Sequence, residues 1–309
     1  MLTNGKVLVA GGIDGVALNN AELYDPSTGL WTNTSSMHYT RSYHTATVLP
    51  NGKVLVVGGF NTVYLRSAEL YDPSTGLWTS TGNMTVGRRQ HTASLLANGR
   101  VLVTAGYNNF PLNTAEIYDP ITEIWTTTGT ITCARRFHTA SVLSNGNVLI
   151  MGGLNSSILN SAELYDPTSG TWTNVGTMTY ARRSHTTSML TNGNVLVTGG
   201  TNGVGLNSAE LYHASTGIWT NTSNMNFIRF YHTASVLTNG NVLVTGGTNG
   251  AASVTTELYD PISGMWTNSS SMNYTRYQHT ASVLINGKIL VTGGMTIGNY
   301  SNSSELYQP

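Results

Sequence analysis

A period of 47 residues governs this chain. Glycine pairs fall at Gly11-Gly12, Gly58-Gly59, Gly152-Gly153, Gly199-Gly200, Gly246-Gly247 and Gly293-Gly294, and Ala105-Gly106 fills the one missing register. All six tryptophans keep the period (Trp31, Trp78, Trp125, Trp172, Trp219 and Trp266). So do six of the eight histidines: His44, His91, His138, His185, His232 and His279. An arginine precedes each of these histidines by three residues, from Arg41 through Arg88, Arg135, Arg182 and Arg229 to Arg276. A repeat of this length is one supersecondary unit that cannot bury both its faces alone, so successive units must stack.

One unit resolves into four short strands. His44–Leu49 (strand a) is rich in β-branched and apolar residues. Asn51-Gly52 follows, and this pair predicts a two-residue type I′ hairpin. Lys53–Val57 (strand b) is apolar without alternation, the pattern of a strand buried on both faces. Strand c is Ala68–Asp72, and Pro73-Ser74-Thr75-Gly76 turns it into strand d, Leu77–Thr79. Four antiparallel strands in this length make one propeller blade, so the chain is all-β and residues 1–309 form a single propeller domain. Each Trp is expected to bury roughly 150–250 Å² against the next blade. Seven Gly registers predict seven blades. Six blades, the alternative, need 282 residues and leave 27 with no place in the ring. Seven need 329, 20 more than are present, so the seam is expected to be incomplete at the N-terminus and open to self-association.

The motif Arg-x-x-His-Thr, then Gly-Gly, then Glu-Leu-Tyr-Asp-Pro, then Trp resembles the Kelch repeat over essentially the whole chain. The departures are Ala105, the replacement of the Asp after Tyr by His213 and Gln308, and one residue inserted before Glu305. The resemblance implies a Kelch-type β-propeller of the galactose oxidase-like superfamily and, by default, a binding scaffold rather than an enzyme. It also implies acidic peptide ligands, held on the loop face by Kelch adaptors of ubiquitin ligases.

Residues that recur once per blade are read as structural. Copies of the periodic His spread around a ring cannot converge on one metal; each is expected to bond nearby backbone or the strand-c Glu. No metal and no cofactor are expected. Gly-x-Ser-x-Gly, His-Glu-x-x-His and a phosphate-cradling loop with Lys are all missing. A copper-radical oxidase site would need Cys133, the sole cysteine, beside tyrosines and two converging histidines; an epimerase or lyase is the other enzymatic alternative. Asp14 and Glu123 are the acids off the pattern. Lys+Arg 14 balance Asp+Glu 14, which removes any global attraction to nucleic acid or anionic membrane. No apolar run approaches the roughly 20 residues of a spanning helix, so a soluble chain is expected. The N-terminus shows no signal peptide, and the compartment stays open: extracellular if Met1 is internal to a longer protein.

With alternating strands, the b–c and d–a connections open on one face, where the repeats disagree most. There the symmetry breaks. Three consecutive repeats carry a second arginine beside the periodic one: Arg89, Arg136 and Arg183, where other repeats have Ser42, Phe230 and Tyr277. With Arg66 and the loop aromatics Tyr64, Tyr107, Phe110, Phe137 and Tyr180 they are the candidate ligand-binding residues. The expected partner is a protein or peptide, an acidic one by the cationic arc, with a glycan as the alternative.

Overall fold

The computed structural model describes residues 1–308. Among them there is no helix; the strands gather into seven antiparallel blade sheets plus one two-stranded ribbon. The fold is a seven-bladed β-propeller, which rules out the six-blade alternative. The chain divides into two compact units. One comprises Met1–Phe137, Gly146–Val148 and Tyr165–Trp172; the other comprises His138–Asn145, Leu149–Leu164 and the residues from Thr173 onward.

The first unit opens with a three-stranded sheet, β1 (Val7–Asp14), β2 (Val16–Asp25) and β3 (Leu30–Asn33), which are strands b, c and d. The second sheet is complete: β4 (Thr45–Val48), β5 (Val54–Val57), β6 (Ala68–Asp72) and β7 (Leu77–Thr81). The third has β8 (Thr92–Leu95) and β9 (Val101–Thr104), then the ribbon β10 (Tyr107–Asn108) and β11 (Phe110–Pro111), then β12 (Ala115–Asp119) and β13 (Ile124–Thr127). The fourth sheet, most of whose residues belong to the second unit, is Thr139–Val142, Val148–Met151, Ser161–Asp166 and Thr171–Thr177.

In the second unit, Thr186–Met189, Val195–Thr198, Ala209–His213 and Ile218–Asn221 make one sheet. Thr233–Val236, Val242–Thr245, Thr256–Asp260 and Met265–Asn268 make the next. The last, Thr280–Val283, Ile289–Thr292 and Ser304–Tyr307, has strands a, b and c only.

The unalternating apolar runs are buried as expected. Every residue of β5, β9, Val195–Thr198, Val242–Thr245 and Ile289–Thr292 is buried, each large aliphatic side chain contributing about 1.5–3 kcal/mol. The a–b hairpin differs from the expected two-residue type. Leu49 N–H donates to Lys53 O (2.8 Å), Gly52 N–H donates to Leu49 O (2.9 Å), and Gly52 has φ 83° while Asn51 stays at negative φ. The loop is Pro50-Asn51-Gly52, three residues with glycine in the left-handed position, and Asn51 Oδ1 accepts from Lys53 N–H at 3.1 Å.

The periodic residues stitch consecutive blades. In the first unit Tyr71 Oη meets Thr34 Oγ1 at 2.9 Å, Trp78 Nε1 donates to Ser35 O at 2.8 Å, and His91 Nε2 meets Thr45 Oγ1 at 3.0 Å. The second unit repeats the set with Tyr259–Thr222 (2.9 Å), Trp266–Ser223 O (2.9 Å) and His279–Thr233 (3.0 Å). The indole N–H groups of Trp78, Trp125, Trp172 and Trp266 therefore reach the preceding blade, not the next one, while Trp219 Nε1 is buried without a hydrogen-bond partner. Trp78 and Trp266 are buried; Trp31, Trp125, Trp172 and Trp219 are half-buried.

Candidate functional site

The periodic arginine builds the floor beneath the loops. Arg88 is fully buried: Nη1 donates to Ala105 O (2.8 Å) and Thr114 O (2.9 Å), and Nη2 to Thr114 Oγ1 (3.1 Å) and Glu116 Oε1 (2.8 Å). Glu116 in turn accepts the backbone N–H of Thr85 (2.7 Å) and Val86 (3.2 Å), so one carboxylate anchors a whole d–a loop. Arg41–Glu69 (2.6 Å), Arg182–Glu210 (2.7 Å), Arg229–Glu257 (2.6 Å) and Arg276–Glu305 (2.7 Å) repeat the pair. Burial pushes the Glu69 carboxyl up, but hydrogen bonds from His38 N–H, the Arg41 guanidinium and the His38 ring outweigh it and hold the group below its ordinary value. The strand-c Glu thus serves the arginine. The periodic His goes elsewhere: His44 Nε2 to Ala10 O (3.0 Å), His232 to Thr186 (2.8 Å), His279 to Thr233.

Neighbouring residues on an extended chain point to opposite faces. Arg88 points down to Glu116, and Arg89 is left above. Its backbone is fixed by an antiparallel bridge, Arg89 N–H to Tyr107 O (3.2 Å) and Tyr107 N–H to Arg89 O (2.9 Å). The same bridge joins Ser42 to Phe60 (3.0 and 2.8 Å), and Phe60 also pairs with Tyr64. The next residues, Tyr43, Gln90 and Phe137, take left-handed φ of 54–56° to turn the chain into strand a. Such φ is strained for bulky residues and clusters at functional positions.

The result is a guanidinium inside an aromatic collar. Arg89 Cζ lies 4.6 Å from the ring centroid of Phe60, 5.4 Å from Tyr64, 5.5 Å from Tyr107 and 5.7 Å from Tyr43. Arg136 Cζ lies 4.2 Å from Tyr107 and 5.5 Å from Phe137, so two guanidinium groups share the Tyr107 ring. The rings also contact each other, Phe60–Tyr64 at 5.2 Å and Tyr64–Tyr107 at 5.8 Å. Among the described residues, neither guanidinium has a hydrogen-bond or ion-pair partner, and Nε of each is buried without an acceptor. Cation–π contacts contribute about 0.5–2 kcal/mol each and offset part of the cost of the unmet donors.

Of the candidates read from sequence, Arg89, Arg136, Tyr64, Tyr107 and Phe137 come together here. Arg66 is exposed and Phe110 projects, 75% exposed, beside the Asn109 tip of the β10–β11 ribbon; neither shares the described ring contacts. Arg183 and Tyr180 lie in the second unit, where Arg183 forms its own bridge with Thr201 (3.1 and 3.0 Å) and Tyr180 is exposed. Tyr43 and Phe60, loop aromatics of the same face, complete the collar. Tyr43 follows position 42, the equivalent of 89, and Phe60 bridges that position.

The KLHDC2/KLHL20/DRC7 Kelch-repeats domain matches residues 1–200 and 79–247, and the Kelch motif matches residues 229–273. The chain belongs to the Kelch-repeat family. Kelch-repeat domains commonly act as protein-binding scaffolds. No curated protein matches this Kelch-repeat chain in sequence. Among solved structures, a fungal alcohol oxidase of the AA5 family in complex with copper is similar over 100% of this chain and 72% of its own, with TM-score 0.84 and 19% identity. At that identity the likeness is one of fold. Among the described residues of the Kelch-repeat protein, no group of three or more His, Cys, Asp or Glu side chains is gathered as metal ligands would be. Cys133 is half-buried rather than fully buried, and its carbonyl oxygen accepts Arg135 Nε at 3.2 Å.

Proposed function

We propose that this Kelch-repeat protein is a non-catalytic binding protein that captures an acidic segment of a protein or peptide on the b–c and d–a loops. The observation that carries the reading is the pair Arg89 and Arg136, held on aromatic rings with no carboxylate of their own. Arginine keeps its charge, and its planar fork pairs bidentately with carboxylates. The collar fixes each guanidinium before a ligand arrives, so little side-chain entropy is lost on binding. Arg183 continues the register in the second unit and is a candidate contact there in its own right. The groups of the collar are guanidinium, phenol and phenyl, a set suited to recognition and lacking an activated nucleophile.

The test replaces Arg89, Arg136 and Arg183 by Ser and titrates a fluorescent Asp/Glu-rich peptide library at low and physiological salt. The wild type is expected to bind with an affinity that falls with salt, and the triple variant to lose about tenfold or more along with that salt dependence. Unchanged affinity and unchanged salt dependence in a folded variant would sink the reading.

A further inference from the structure

The b–c loops that build the arginine collar carry exposed apolar side chains at their tips. Val63 and Phe110 hold one register of the 47-residue period and are 58% and 75% exposed. Val16 keeps that register in the first sheet, 69% exposed, on a loop that lends no ring to the collar. A residue of positive φ precedes each tip: Gly15 at 72°, Thr62 at 128° and Asn109 at 57°. For a β-branched residue such as Thr62 that φ is strained, so surrounding contacts impose the tip conformation. Backbone bonds hold both collar tips. Phe110 pairs with Asn108 across the β10–β11 ribbon, and Asn61 N–H donates to Val63 O at 3.3 Å. The turn itself does not call for an apolar residue. In the fourth sheet Asn155 N–H donates to Ser157 O at 2.9 Å in the same way, and Ser157 is exposed.

We infer that Val63 and Phe110 are the apolar half of the binding surface, so that its ligand is an acidic peptide segment with a bulky apolar side chain within about three residues of its acids. The inference rests on the acidic reading of the collar and names the second element that its ligand carries. Val63 directly precedes the collar residue Tyr64, and Phe110 lies on the ribbon that begins with Tyr107. At about 3.3 Å per residue, each tip stands within about 10 Å of the collar ring on its own loop, the reach of an extended tripeptide. Charge places the acids at Arg89 and Arg136, which have no carboxylate of their own. Acids alone would leave both tips in water, whereas a leucine, isoleucine or aromatic side chain set against them removes apolar surface on both partners. A backbone-fixed aromatic such as Phe110 loses little freedom in that contact. The Nε atoms of Arg89 and Arg136 are buried while the tips are exposed, so the cations are recessed. A narrow extended chain reaches them where a flat anionic surface does not.

The test is fluorescence anisotropy of the full chain with paired synthetic peptides. Each pair carries the same Asp-Glu-Asp core, with Leu in one member and Ser in the other at a site roughly one to three residues from the core. For at least one spacing the Leu member is expected to bind about tenfold tighter. Val63→Ser/Phe110→Ser is expected to bring the two members within about twofold of each other by weakening only the Leu member. Arg89→Ser/Arg136→Ser is expected to weaken both members, and Val16→Ser neither. Thermal melting checks that each variant is folded; if the tip variant is not, the paired peptides on the wild type carry the result. Equal affinity of the two members at every spacing would overturn this inference and leave the acidic reading standing. Failure of both members to bind would overturn the two together. A Leu preference that survives loss of both tips, one that Val16→Ser alone abolishes, or binding to phosphatidylserine vesicles in place of either peptide would also overturn it.

Discussion

One residue after the periodic arginine, the first unit carries Arg89 and Arg136, and the last two blades of the second unit carry Phe230 and Tyr277. The backbone at these positions is the same. Arg89 bridges Tyr107 as Phe230 bridges Thr248 and Tyr277 bridges Met295, and a left-handed residue follows each. Beneath each lies a buried Arg–Glu pair with matching geometry, Arg88–Glu116 at 2.8 Å and Arg229–Glu257 at 2.6 Å. Only the side chain above differs, and with it the chemistry: two unpaired cations on aromatic rings in one unit, uncharged aromatic side chains in the other. A repeat scaffold can thus hold its floor constant while the residue above is free to set the ligand class.

The strongest way to break that comparison is to remove the floor. Glu116→Ala in the first unit and Glu257→Ala in the second each strand a buried guanidinium, and both are expected to destabilise the chain by about 3–5 kcal/mol. Denaturant titration of the two variants checks this. A gap between them larger than about 2 kcal/mol would show that the floors are not equivalent.

Acid should weaken the floors of both units together. Burial and then Arg41 depress the His44 imidazole to about 4; burial and then Arg276 depress His279 to about 3. In the unfolded chain these groups bind protons near pH 6.5. Their contribution is therefore complete above about pH 6.5 and is lost progressively as pH falls toward the folded values. The Glu69 carboxyl, depressed in the folded state, adds a loss that begins below its ordinary value, near 4.5. A melting temperature lower by roughly 10 °C at pH 4.5 than at pH 7 is expected, in a single transition. A flat profile between those pH values would contradict buried neutral histidines.

The smallest effect concerns the strand that carries Tyr107. Ala105 sits at φ 57°, where the last two blades have Gly246 and Gly293 at 61° and 64°. Ala105→Gly is expected to stabilise the chain by up to about 1 kcal/mol by relieving left-handed strain. Gly246→Ala should do the opposite and cost more, because a Cβ there meets Arg276 O at 2.6 Å and His279 Cε1 at 2.8 Å. Equal and negligible effects in both directions would show that the two registers tolerate a side chain alike.

Much of the architecture was readable from residue order alone because most inter-blade contacts recur. Trp78 with Ser35, Tyr71 with Thr34 and His91 with Thr45 each link one repeat to the one before, so each contact leaves a mark every 47 residues. The surplus arginines were visible for the same reason: they break a pattern that explains everything around them. The turn at Asn51-Gly52 was readable as a turn but not as a three-residue one, since whether Pro50 joins the loop depends on the Leu49–Lys53 pairing across the hairpin. Which neighbouring blade an indole faces was not readable either, because a period reads the same in both directions along the chain.

The period, its residue types and its exceptions therefore establish a propeller with a constant interior and variable loops, and favour seven blades over six. Which loop side chains meet is a matter of folded geometry. Phe60 and Tyr107 lie 47 residues apart, and Tyr43 and Arg136 lie 93 apart, yet the collar draws all four together with Arg89. Arg66 and Phe110, on the same loops, stay outside. No local pattern encodes that choice, because it depends on backbone bridges between distant segments and on left-handed residues that aim each ring only once those bridges have formed.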